Sequence, residues 1–146
     1  MHNIFNQIFR SFALLITVVI PCSALELSEP DNGSNFTIFL GEELTIRLPG
    51  NPTTGYQWEV LTNGLTVLKQ KGEPVFVADS DRIGAGGQIT FLFVPCGIGS
   101  TRLKLAYHRP WEKETPPIQV FEIGVTVKQN KNNVNSGSDP EHGLVS

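Results

Sequence analysis

The chain has 146 residues, 40% of them hydrophobic, with 11 basic and 14 acidic side chains. That is enough for one domain with a real core and too apolar for a disordered chain. The formal net charge of −3 provides no electrostatic footprint for nucleic acid or for an anionic membrane.

The first 24 residues carry Arg10 as their only charged side chain, and Phe12 to Ile20 is a run apolar but for Thr17, followed by Pro21 and the small-residue stretch Cys22-Ser23-Ala24. This pattern predicts a secretory signal peptide, residues 1–24, too short to span a bilayer and cleaved after Ala24. Val19-Ile20-Pro21 lacks the small residues that a lipoprotein signal ending at Cys22 would need. Cleavage removes one of the 11 basic residues and no acidic one, so the mature chain carries 10 against 14, a formal charge of −4. It also removes Cys22 and leaves Cys96 alone, so the mature domain holds no internal disulfide and relies on packing. At the other end, residues 129–146 are rich in Asn, Ser and Gly and read as a disordered polar tail. The folded unit expected is residues 25–128.

Within it, period-two alternation predicts half-buried strands. Leu44, Ile46 and Leu48 alternate with Thr45 and Arg47; Tyr56, Trp58 and Val60 alternate with Gln57 and Glu59. Ile89 to Val94 is a more fully buried strand. Leu103, Leu105 and Tyr107, and then Phe121, Ile123, Val125 and Val127, complete the pattern. Breakers at Pro49-Gly50, Gly84 to Gly87, Pro95 to Gly99 and Pro116-Pro117 separate these runs. The fold class is all-β, an antiparallel β-sandwich. Strands are expected at 43–48, 56–61, a kinked 65–79, 88–95, 101–108 and 118–128. Since every second connection of an antiparallel chain falls at the same end, 51–55, 82–87 and 109–117 share one end, provided that 65–79 counts as a single strand.

Each of these loops has its own chemistry. Pro52 fixes its φ and extends Asn51, while Gly55 is free to take a positive φ. The Asn51 side chain can bond to the loop backbone and hold Thr53 and Thr54 in one conformation. Gly84-Ala85-Gly86-Gly87 carries almost no side chain, so another backbone can approach it; it has neither the strand–helix context nor the GKS or GKT of a nucleotide-binding loop. In Arg109-Pro110-Trp111-Glu112, Trp111 lies past a strand end among charges and is expected in solvent, where Trp and Arg are enriched at binding hot spots. Trp58, inside an alternating strand, is the core tryptophan.

An enzyme finds no site in this sequence. Cys96 and His108 are the only conceivable nucleophile and base, and they fall at opposite ends of one strand, on the order of 20 Å apart. His142 is in the tail, Asp79, Asp81, Glu112 and Glu114 have no identifiable partner, and no metal or cofactor set is present.

Taken together, NPTTGY (Asn51, Pro52, Thr53, Thr54, Gly55, Tyr56), GAGG (Gly84, Ala85, Gly86, Gly87) and RPWE (Arg109, Pro110, Trp111, Glu112), in that order on alternate connections of an exported all-β domain, resemble the chagasin family of cysteine peptidase inhibitors across residues 25–128. The resemblance implies an immunoglobulin-like sandwich of seven or eight strands that acts by reversible occlusion. It implies that residues 51–56 enter the centre of a papain-like active-site cleft, with Thr53 and Thr54 against the catalytic Cys and His. Residues 84–87 and 109–111 would lie to either side, Trp111 packing on an aromatic surface of the enzyme. The expected partners are papain-like peptidases of cathepsin L or B type, met by a monomeric inhibitor. The residues alone also leave open a non-inhibitory immunoglobulin-like binding or adhesion module. Two glycosylation sequons, at Asn32 and Asn35, precede residue 43 and would matter in a eukaryote.

Overall fold

A computed structural model describes residues 23–61 and 66–130. The predicted signal run up to Cys22 and the tail from residue 131, with His142, lie outside the described residues, as do residues 62–65 at the start of the expected kinked strand.

The described chain contains nine strand segments: β1 (Ala24–Ser28), β2 (Asn35–Phe39), β3 (Glu43–Gly50), β4 (Gln57–Val60), β5 (Leu68–Gln70), β6 (Val75–Ala78), β7 (Gly87–Pro95), β8 (Gly99–His108) and β9 (Gln119–Lys128). One sheet runs β1-β3-β7 with β5 and β6 beyond β7, and the other runs β2-β9-β8-β4. The period-two residues close the sandwich between them. Leu44, Ile46 and Leu48 stand opposite Phe93, Phe91 and Ile89, and Leu103 and Leu105 opposite Ile123 and Phe121. All ten are buried, and cross-strand apolar pairs of this kind are the unit of sheet stability. Burying each side chain contributes about 1.5 to 3 kcal/mol relative to leaving it exposed.

The kinked strand is observed. β5 and β6 both pair antiparallel with β7, at Pro95 to Phe93 and at Thr90 to Gly87, on the side away from β3. Lys71 N–H still bonds the Leu92 carbonyl, after which Gly72, at φ 74°, begins a bulge that re-enters the ladder at Val75. Thus 68–78 forms one interrupted edge, and eight strands result when its halves are counted together.

Two features escaped the sequence pattern. The body of each sheet is antiparallel, but β1 pairs β3 and β2 pairs β9 in parallel, so the N-terminal segment supplies an edge first to one sheet and then to the other. Asn32 completes the crossing: its Oδ1 accepts from Glu122 N–H at 2.8 Å and its Nδ2 donates to the Val120 carbonyl at 3.1 Å, prolonging the ladder beyond β2. Second, Pro49-Gly50 does not end β3, which continues opposite Gln88 and Gly87. β1 stops at Ser28 opposite Arg47, so β3 has a neighbour on one side only at Pro49, where proline is tolerated.

Register places the loops. Gly50, the end of β3, faces Gly87, the start of β7; Gln57, the start of β4, faces His108, the end of β8. Residues 51–56 therefore sit between the 79–86 and 109–118 connections, at one end of the sandwich.

Candidate functional site

The central loop is built around Asn51. Its backbone is extended (φ −142°, ψ 96°) and its side chain caps a single 3-10 turn, Pro52–Thr54. Every polar group of Asn51 is engaged. The N–H donates to Tyr107 Oη at 2.9 Å, and the side-chain Nδ2 donates across to the Gly84 carbonyl at 2.9 Å. Oδ1 accepts from Thr53 N–H at 3.1 Å and Thr53 Oγ1 at 2.6 Å. The Asn51 carbonyl accepts from Thr54 Oγ1 at 2.6 Å and from Thr54 N–H at 3.1 Å. Both threonines are exposed, yet each hydroxyl spends its proton inward and keeps acceptor capacity, which Thr54 Oγ1 uses in part on Tyr56 N–H at 3.4 Å.

Gly55 ends the turn in the left-handed region at φ 81°, where a residue with a Cβ is strained. A Cβ there would also collide with the six-membered ring of the Trp111 indole, which packs against this glycine. Trp111 is nevertheless 65% exposed while Trp58 is 8% exposed, the assignment expected from sequence. Trp58 Nε1 donates to the Pro49 carbonyl at 2.9 Å, satisfying its one donor beneath the loop. Gly87 is required for a different reason: the Val77 carbonyl and the Ala78 backbone occupy the place of a Cβ, so only glycine lets β6 pair this closely.

The third loop locks onto the first. Tyr56 packs against Tyr107 with centroids 5.5 Å apart and rings tilted by 33°, and Tyr107 against Trp58 at 5.1 Å with a tilt of 30°. The Arg109 guanidinium lies over the Tyr56 ring, 4.4 Å from its centroid, and its Nη1 meets Glu112 Oε1 at 3.0 Å. The hydrogen bond to Glu112 raises the Arg109 pKa above its ordinary value, so the group stays cationic. Gly84, residues 51–56 and residues 109–112 are therefore tied together at one end of the sandwich.

Tyr107, which sequence reading treated only as an inward strand residue, is the support of this unit. Its Oη holds Asn51, and its carbonyl receives Ile118 N–H at 3.0 Å where the third loop closes. A buried tyrosine needs a partner for its hydroxyl; that was the available signal. Cys96 follows β7, exposed, whereas His108 ends β8, where its Nε2 lies 2.6 Å from Glu59 Oε2. The length of β8 separates them, as expected.

Residues 37–125 match the chagasin family peptidase inhibitor I42. The chain belongs to the chagasin family of peptidase inhibitors. Chagasin of Trypanosoma cruzi is 32% identical over 105 residues, covering 67% of this chain and 93% of that protein. Amoebiasin-2 of Entamoeba histolytica is 30% identical over 124 residues, covering 82% and 98%. Among solved structures, the cysteine protease inhibitor EhICP2 from Entamoeba histolytica superposes with a TM-score of 0.65 at 24% identity, covering 73% of this chain and 96% of that one. Amebosin superposes with a TM-score of 0.58 at 32% identity, covering 73% and 98%. The immunoglobulin-like sandwich expected from the three motifs is thus the fold of this chagasin-family chain, and the chain is an inhibitor of peptidases rather than an enzyme.

Proposed function

We propose that this protein is a reversible, competitive inhibitor of papain-like cysteine peptidases of cathepsin L or B type, with residues 51–56 filling the centre of the active-site cleft. The observation that carries this reading is the engagement of every polar group of Asn51, which ties the first loop to itself, to Gly84 and to Tyr107 in a chain of the chagasin family. A loop already ordered loses little conformational entropy on docking.

The chemistry of the tip suits a cysteine–histidine dyad. In a papain-like enzyme the cysteine is a thiolate paired with an imidazolium. Thr53 and Thr54, whose protons are committed to Asn51, meet that dyad as acceptors, which matches an imidazolium N–H. Occlusion needs no covalent step: the 3-10 turn (Pro52–Thr54) bends the backbone away from the extended form of a substrate, so no scissile carbonyl is presented. Gly84 to Gly87 lie on one flank and Arg109 to Trp111 on the other, with the exposed indole as an aromatic anchor. The proposal extends to an exported monomer: removal of residues 1–24 sends the inhibitor to a secreted, periplasmic or endolysosomal space, and N-terminal sequencing of the exported protein should begin at Leu25.

The test is inhibition of papain and of a cathepsin L-like peptidase by residues 25–146, beside a folded Thr54→Ala/Trp111→Ala variant. Tight competitive inhibition, weakened in the variant, is the expected result. A folded domain that leaves both enzymes at full rate would move the loops to another partner, as in an adhesion module.

A further inference from the structure

Arg109 stands in the third loop as a candidate peptidase contact, but its guanidinium, on a side chain that is 35% exposed, is already engaged within the inhibitor. One face covers Tyr56 at 4.4 Å, Nη1 is taken by Glu112 at 3.0 Å, and Nε is shut away from solvent with no acceptor. Glu112 in turn closes the turn that carries the anchor. Its N–H bonds the Arg109 carbonyl at 3.0 Å, and Pro110 occupies the second position, which proline favours in such turns. Pro110-Trp111 is therefore bracketed twice by the same two residues, once through backbone and once through side chains. The indole so presented rests on Gly55 of the first loop.

From this geometry we infer that Arg109 and Glu112 are positioning residues rather than peptidase contacts: together they clamp the third loop onto Tyr56 and hold Trp111 against Gly55, so that the first and third loops dock as one rigid body. The inference rests on the peptidase-inhibitor reading. It assigns Glu112 a role that exposure and charge alone would not suggest. It also distinguishes two kinds of arginine: one that reaches an enzyme carboxylate acts independently of Glu112, whereas a clamp fails equally when either half is removed.

The test is a double-mutant cycle on residues 25–146 with Arg109→Ala, Glu112→Gln and both together, read in two ways. In the free protein, the mobility of the Trp111 indole N–H is followed by nitrogen-15 relaxation, its signal told from that of Trp58 by Trp111→Phe. With papain, the inhibition constant is measured. Each single variant is expected to mobilise the indole and to weaken inhibition roughly tenfold, the scale of one cation–π contact, while the double variant is no weaker than the worse single. Equal melting temperatures separate this from loss of fold. Additive losses, or a Glu112→Gln variant that inhibits as the wild type does and keeps its indole rigid, would overturn the clamp. Failure of the wild type to inhibit papain would instead remove the inhibitor reading, and the indole measurement would still decide whether the clamp exists.

Discussion

The two ends of the sandwich are fastened differently. At the far end, the links are mostly backbone continuations of the ladders: Leu40 N–H to the Lys128 carbonyl, Leu61 N–H to the Lys104 carbonyl and Cys96 N–H to the Val67 carbonyl. Such bonds form with almost any side chain. At the loop end, backbone bonds such as Ile118 N–H to the Tyr107 carbonyl and Asp79 N–H to the Gly86 carbonyl are joined by a network of particular side chains, those of Asn51, Thr53, Thr54, Tyr107, Arg109 and Glu112. Backbone bonds hold a connection shut, whereas side-chain bonds also fix its shape. Fixed shape is what a surface must have if it is to enter a cleft without losing conformational entropy.

Paired glycines break this comparison most sharply. Gly55→Ala strains a backbone at φ 81° and drives a methyl into the Trp111 ring. It should weaken papain inhibition on the order of a hundredfold, the upper part of the 1 to 3 kcal/mol range for such strain. Gly41, at the far end, also has a positive φ of 94°, with nothing within 4 Å of an added Cβ. Gly41→Ala should lower stability by about 1 kcal/mol in a urea melt and leave the inhibition constant where it was. Equal effects on inhibition would mean that the two ends are not distinct.

Trp111→Ala comes next. The side chain is 65% exposed, so the melting temperature should hold while binding weakens by about 1 to 3 kcal/mol; unchanged affinity would remove the anchor. Tyr107→Phe sharpens the account instead, since it deletes only the hydroxyl that accepts from Asn51. Loss of about 0.5 to 1.5 kcal/mol of stability, with a several-fold rise in the inhibition constant, is the expected outcome. The smallest effect belongs to Ile98→Ala at the far end: Ile98 is 58% exposed, and stability should stay within about 0.5 kcal/mol with inhibition unaltered.

Those side chains also explain what could be read in advance. The Asn51 turn was legible because its logic is local: Pro52, Gly55 and the capping asparagine lie within one short stretch, and turn chemistry acts at that range. The core strands were legible because alternation is local too. β1 and β2 were not: Leu25 and Leu27, and Phe36 and Ile38, do alternate with outward neighbours, but each run is only five residues long and its partner, β3 or β9, is set by parallel pairing that no local pattern announces. The supports of the site were hidden for the same reason. Asn51 and Tyr107 are 56 positions apart, and Arg109 finds Tyr56 only after β4 and β8 have paired.

The measurement that tests the central claim most directly is a footprint of papain on the nitrogen-15-labelled domain by amide chemical-shift perturbation. The account predicts that residues 51–56, 84–87 and 109–112 respond, while residues 40–42 and 96–98 at the far end do not. A footprint centred on the far end, or on the outer strand β6 with the three loops unperturbed, would contradict it.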